Sequence, residues 1–330
     1  MSLHKKTLPV WAYLVIDLLL IALFTTSFYY GYFRVPRELE SENIVIVNEE
    51  SSEDTVLNES KEISEESVIE EAAIPTKFAD KFSDTVISTD TEYRSKNISI
   101  TLTKNVKGTG NDIITYFVAD IYLTDIKCLQ SGFAKDTYGI GYSEELIEMS
   151  NRLNALLTIN GDYYGTASSG IIIRNGTVYR TKADSSDICV LYYDGSMRTF
   201  TAENFDISQA IDDKAYQAWC FGPALLGGAG ESLTEFPTSR PITVKNPRTA
   251  IGYFEPGHYC FVVVDGRDKG YSSGMTMAEL SSLMSELGCM TAYNLDGGQT
   301  SQMIMNKKTV NQPYNGGRRV SDCILIKELG

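Results

Sequence analysis

Five clusters in this 330-residue chain hold the residue types that acid–base or anion chemistry needs, and most follow an apolar run. They are 158–165 (TINGDYYG), 220–225 (CFGPAL), 246–252 (NPRTAIG), 265–267 (DGR) and 293–302 (YNLDGGQTSQ). Carboxylates stand beside glycine at Asp162, Asp265 and Asp296, where little crowds them. A glycine next to an aspartate at a strand end most often marks only a tight turn. Their accumulation argues for more, because loops at strand ends are where sites are mounted on a rigid scaffold.

Composition narrows the chemistry. Only two histidines exist, His4 and His258, so a multi-histidine metal site is ruled out and a histidine triad disfavoured. Residues 270–274 (GYSSG) match the G-x-S-x-G elbow, but no histidine follows Ser272 and no strand runs straight into it, so a chance match is the better reading. Residues 227–230 (GGAG) lack a following G-K-[ST], so a nucleotide phosphate loop has no support. No cofactor is expected, and the metal requirement is open. The net charge is −14 with no basic face implied, which removes the electrostatic case for nucleic acid.

The chain resembles the phosphodiester glycosidase family, the group that includes the "uncovering enzyme". The likeness is carried by NPRTAIG (246–252), VVDGRDKGYSSGMTMAEL (263–280), LG with NLDGGQTSQM (287–303) and GGRRVSD (316–322). INGDYY (159–164) and GPAL (222–225) also fit, and the whole covers roughly 155–327. Two positions depart from the family pattern. Gln299-Thr300-Ser301 stands where members have a third glycine and a serine pair, and Asn160-Gly161-Asp162 stands for an NGG-type turn.

The resemblance implies cleavage of a sugar-1-phosphodiester at the anomeric bond, giving free sugar and a phosphomonoester. Such a transition state is oxocarbenium-like and wants a carboxylate on the attacking side. Asp296 is the first candidate, with Asp162 and Asp265 as the others; Asp265 could equally pair with Arg248 or Arg267. The leaving phosphate needs anion stabilisation more than a general acid. Arg248 and Arg318 could supply guanidinium forks, and Gly297 and Gly298 a backbone nest. Asn160, Thr300 and Ser301 could bond sugar or phosphate, or only cap turns. Tyr163 and Tyr164 could stack on a sugar or fill the core. A binding or envelope-assembly protein on the same fold is the alternative, and a P–O-cutting phosphodiesterase a third.

The elements that must position these residues read as α+β: mixed, largely antiparallel sheets with a few packed helices. Asn175-Gly176 and Asp194-Gly195 are two-residue hairpin turns, and Pro256-Gly257 joins two further strands. Thr276 and Glu279 form a capping box ahead of a stripe of Leu280, Leu283, Met284 and Leu287. A second helix is expected near 144–153. Residues 76–150 read as a β-rich N-terminal part and 151–330 as the glycosidase-like domain.

Ahead of these lies a different chain. After a short tail (1–9), residues 10–33 are mostly apolar with one acid, Asp17, and as a helix span roughly 36 Å, enough for a bilayer. A signal anchor is expected, single-pass, with the C-terminal part extracytoplasmic at the cell membrane; a cleaved signal and a core helix are the alternatives. Residues 34–75 read as an acidic stalk: from Glu38 to Glu71 it holds 13 acids against one base, Lys61. Six scattered cysteines allow disulfides without requiring them. Carbohydrate and bilayer are the expected partners, and oligomeric state is open.

Overall fold

The structure, a computed structural model, describes residues 9–29, 35–47 and 76–329. The helix Val10–Tyr29 contains an 18-residue window (10–27) with mean hydropathy 1.9 and no burial against the rest of the protein. Its apolar residues surround it on all sides, and by length and composition it is apolar enough to cross a membrane.

The remainder is α+β and antiparallel throughout its strand pairs. A seven-stranded sheet runs from Thr291–Asn294 through Arg248–Glu255, His258–Val264, Ile114–Leu123 and Ile98–Lys107 to two short edge strands. A six-stranded sheet is built around Ile188–Tyr192, Ala215–Cys220 and Ile172–Arg174, and a five-stranded sheet around Leu157–Asn160 and Asp322–Ile326. The hairpin turns at Asn175-Gly176 and Asp194-Gly195 join antiparallel pairs, as their φ > 0 residues favour.

Period-2 alternation divides the core into layers. Ile251, Phe261 and Val263 point to the central cluster with Trp219, Tyr293, Leu157 and Ile324, where the three sheets meet. Ala250, Cys260, Val262 and Val264, one residue out of phase, point the other way and are covered by the helix Met277–Glu286. That helix has the capping box, Thr276 Oγ1 accepting from Glu279 N and Glu279 receiving the Thr276 N–H. The second helix is Leu146–Arg152, packed on the five-stranded sheet. Residues 76–150 are no separate lobe. Ile114–Leu123 pairs with His258–Val264 along its length, and Leu129–Phe133 pairs with Asp322–Ile326.

The stalk reading needs correction at its start. Residues 35–47 lie on the globular body: Arg37–Glu38 pairs with Gly139–Ile140, and Ile44–Val45 adds an edge strand beside Thr177–Arg180. The physical reason is an open strand edge with unpaired backbone groups, met by the IVIV run whose Ile46 is buried at 4% exposure. Tyr193 seals the contact by donating to the Ile46 carbonyl. Residues 48–75, the most acidic part, lie outside the described residues. All six cysteines are free, with Cys260 and Cys289 Sγ atoms 3.7 Å apart in the core.

Candidate active site

Asp296 sits on the turn that ends the strand Thr291–Asn294, in a cavity of about 140 Å³. Period 2 along this segment puts Asn294 and Asp296 on one face, and both line the cavity. Asp296 Oδ2 accepts from Arg318 Nη2 at 3.0 Å and Oδ1 from the Gly297 amide at 2.9 Å. Burial pushes its carboxyl above the usual range, and Arg318 is the first of the groups that pull it back toward the anion. Arg318 is itself held by Tyr163, whose ring centroid lies 4.6 Å from the guanidinium carbon and whose hydroxyl accepts from Nη1. Tyr163 therefore stacks on an arginine; its left-handed φ of 64° turns it there.

Two other cations, unlike Arg318, line the cavity. Arg248 is almost wholly buried, with Nε donating to Met275 O and Nη2 to Val244 O. Burial, then the neighbouring Arg267, pushes it down to about 10. Arg267 donates twice to Asn246 Oδ1 and lies over the Tyr314 ring. Sequence reasoning left Arg267 only as a possible partner of Asp265. Its signal was the basic residue closing the DGR strand end.

The other expected residues fall into supporting positions. Asn160 Nδ2 donates to the Asp296 carbonyl at 2.7 Å, while Oδ1 accepts from Thr249 Oγ1 and Gln302 N, so this side chain ties three loops together. Thr300 Oγ1 donates to Gly297 O and clamps the turn. Gly297 and Gly298 line the cavity, but their N–H groups are taken, going to Asp296 Oδ1 and Pro247 O, so they do not form the expected nest. Gly298 has φ +71°, and a Cβ there would come within 3.2 Å of Arg267, which is why glycine fits. Gln299, the departure from the family pattern, donates to Gly317 O and does not line the cavity. Ser301 is buried, its Oγ without a protein partner, as is Asn294 Oδ1, whose Nδ2 is anchored on Gly222 O at 2.7 Å.

Asp162 and Asp265 are turned into other networks. Asp265 accepts from Asn311 Nδ2, Tyr271 Oη and Gln312 N, with neither Arg248 nor Arg267 among these donors. Ser272 of the GYSSG segment is fully buried, bonding Asp265 O and Thr115 N, and has no nucleophile geometry. Asp162 accepts from Arg174 Nη2 at 2.9 Å and Cys220 N at 2.9 Å. The same Arg174 nitrogen donates to Asp322 at 3.1 Å, making a sealed group of two carboxylates and one guanidinium. Burial, then the adjacent Asp162, pushes Asp322 up to about 7. Arg174 and Asp322 carried no signal as a pair, being 148 residues apart.

With this geometry in place, three comparisons bear on it. Residues 153–327, more than half the chain, match the family described as phosphodiester glycosidase. The SPbeta prophage-derived uncharacterized protein YomE of Bacillus subtilis (strain 168) is 29% identical over 196 residues, 57% of this chain. This chain spans 30% of that protein's length. The fold is similar to the zebrafish N-acetylglucosamine-1-phosphodiester α-N-acetylglucosaminidase catalytic domain auto-inhibited by its pro-peptide, with TM-score 0.57 and 17% identity. That likeness covers 74% of this chain and 88% of that one. A hypothetical protein from Synechocystis gives TM-score 0.51 and 11% identity, over 74% and 64% of the two chains.

Proposed function

This chain belongs to the phosphodiester glycosidase family, and from that premise we propose that it hydrolyses the anomeric bond of a sugar-1-phosphodiester in a glycan, exopolysaccharide or wall polymer. The observation that carries the proposal is Asp296: of the three aspartates at strand ends, it alone lines the cavity that Arg248 and Arg267 share. In this reading the sugar's anomeric carbon lies against Asp296, whose carboxylate acts on the attacking side as oxocarbenium character develops. Water adds to that carbon and gives a proton to the Asp296 carboxylate, the C–O bond breaks, and the electron pair leaves on phosphate. Arg248 and Arg267 stabilise that leaving anion, so protonation of the leaving group matters less than in ordinary glycoside hydrolysis. Arg318 favours the ionised form of Asp296 and so works against the effect of burial. The orphan acceptor Asn294 Oδ1 takes an O–H or N–H of the substrate, offsetting an otherwise unsatisfied buried group.

The helix Val10–Tyr29 serves as a single-pass anchor with the body outside the cell. Five residues, 30–34, separate it from the docked segment, a reach of at most about 22 Å. The catalytic body is thereby held next to the bilayer.

The test is to supply the purified full-length chain, in detergent micelles, with methyl N-acetylglucosamine-1-phosphate diester and to identify the products. Free sugar that disappears in Asp296→Asn supports the proposal. Sugar-1-phosphate as product would make the protein a P–O-cleaving phosphodiesterase, and binding without product would make it a carbohydrate-binding protein. Free sugar still released by Asp296→Asn would overturn the site while leaving the reaction class.

A further inference from the structure

Arg318 reaches Asp296 from a segment that lies outside any strand. The strand after it begins only at Asp322, and the residues just before it, Asn315, Gly316 and Gly317, all have left-handed φ values, from +50° to +89°. Two side chains hold this segment. Gln299 Nε2 donates to the Gly317 carbonyl at 2.9 Å, and Gln302 Nε2 to the Arg318 carbonyl at 3.1 Å. Gly317 lets the second amide approach: a Cβ there would come within 2.8 Å of the Gln302 side chain. Both glutamines belong to the turn 298–302, and that turn is tied to the loop of Asp296. Thr300 Oγ1 donates to Gly297 O, and the Gln302 N–H to Asn160 Oδ1, while Asn160 donates to the Asp296 carbonyl. Carboxylate and guanidinium are 22 residues apart in the chain, yet both are fixed to one turn.

Exposure is what makes such support necessary. Arg318 keeps 37% of its side chain in solvent. An ion pair of a solvated arginine is weak unless the side chain is held in one geometry, because ordering it costs rotamer entropy. Tyr163 holds the guanidinium end with its ring and hydroxyl. The glutamines hold the backbone end, and neither lines the cavity, which separates their role from substrate binding. The charged groups around Asp296 come from four places. Arg318 bonds it directly, with Tyr163 behind, and Arg248 and Arg267 line the same cavity. From the loop whose Gly161 carbonyl takes the Asp296 N–H, Asp162 is turned away to Arg174. No second carboxylate lines the cavity.

We propose that Gln299 and Gln302 are positioning residues for the Asp296–Arg318 pair: by tying the Gly317 and Arg318 carbonyls to the turn 298–302, they keep the guanidinium on the carboxylate. Loss of either amide lets Arg318 drift toward solvent, and the buried Asp296 then holds its proton to higher pH. This rests on the hydrolytic reading of Asp296 given above.

The experiment measures the pH profile of kcat/KM on the methyl N-acetylglucosamine-1-phosphate diester, with the full-length chain in micelles. Wild type is compared with Gln299→Met, Gln302→Met and Arg318→Gln, and with each methionine variant made in the Arg318→Gln background. Methionine keeps the length of glutamine and removes the donor. Gln299→Met is expected to move the acid limb to higher pH, lowering kcat/KM on that limb by about two- to tenfold, the effect of one hydrogen bond. Gln302→Met should move it the same way; because Gln302 is buried, the half-exposed Gln299 decides if that variant does not fold. In the Arg318→Gln background the limb should move no further, since the effect passes through Arg318. A limb unmoved in Gln299→Met while its thermal midpoint falls would show a merely structural role. An equal further shift in the Arg318→Gln background would show action by another route. Either overturns the proposal. If wild type hydrolyses nothing, the catalytic reading fails, and NMR titration of the aspartate carboxyl carbons decides. The Asp296 resonance, identified by its loss in Asp296→Asn, should titrate at higher pH in Gln299→Met; titration at the wild-type pH overturns the proposal.

Discussion

Two carboxylate–guanidinium contacts of almost equal length, Asp296 to Arg318 at 3.0 Å and Asp162 to Arg174 at 2.9 Å, have different surroundings. Arg318 keeps 37% of its side chain exposed, and Asp296 lines a cavity. Arg174 keeps 2%, and every group around it is protein. The open pair is available to a substrate and tunes an ionisable group. The sealed one holds strand Ile172–Arg174 against the loops that carry Asp162 and Asp322, at a desolvation cost that the two carboxylates offset through Nη2 while Nε stays without a partner. Chemistry needs the first arrangement, since a reacting carboxylate must exchange partners. Rigidity is served by the second.

The largest expected difference between the pairs is in rate. Asp296→Asn should lower kcat by about 10²–10⁴-fold, the range for a positioned acid–base group, with little change in thermal midpoint. A comparable rate loss in a well-folded Asp162→Asn would break the distinction. Stability should show the reverse. Arg174→Met leaves two buried carboxylates without their cation and should cost about 3–5 kcal/mol by urea titration, with specific activity of the folded fraction falling far less than in Asp296→Asn.

Two smaller effects sharpen the comparison through pH. Arg318→Gln removes the chief group opposing burial at Asp296, so its carboxyl should rise, moving the acid limb of kcat/KM to higher pH. An unmoved limb would mean that Asp296 is not the titrating group. At Asp322 the folded value is raised from 3.8 to about 7. The folded state therefore keeps a proton that the unfolded chain releases. This contribution to stability is complete below pH 4 and is lost as pH rises to about 7. Asp322→Asn does not titrate, so its urea midpoint relative to wild type should climb between pH 4 and 7 and level off above. A flat difference would show that Asp322 is ionised throughout.

Much of the local structure was legible in the residues. The capping box at Thr276 and Glu279 and the turns at Asn175-Gly176, Asp194-Gly195 and Pro256-Gly257 are decided within a few positions, and the structure has them where the sequence places them. The site was legible as a set of loops but not as a set of roles. Asn160 looked like a substrate contact and is a tie between loops, because its partners Thr249 and Gln302 come from 89 and 142 residues away. Residues 35–47 looked like a stalk because acidic composition hides an IVIV strand whose partner edge lies at 177–180.

The sequence by itself determined what depends on neighbours along the chain: an apolar 20-residue helix, the hairpin and cap chemistry, and aspartates mounted beside glycine at strand ends. Tertiary structure alone decided which aspartate lines the cavity and which are enclosed by protein partners. A carboxylate's ionisation and reach depend on the charges and donors within about 4–6 Å and on its access to solvent. For Asp162 those neighbours are Arg174, Cys220 and Asp322, and for Asp296 they include Arg318 and an open cavity, a contrast fixed by where remote strands end.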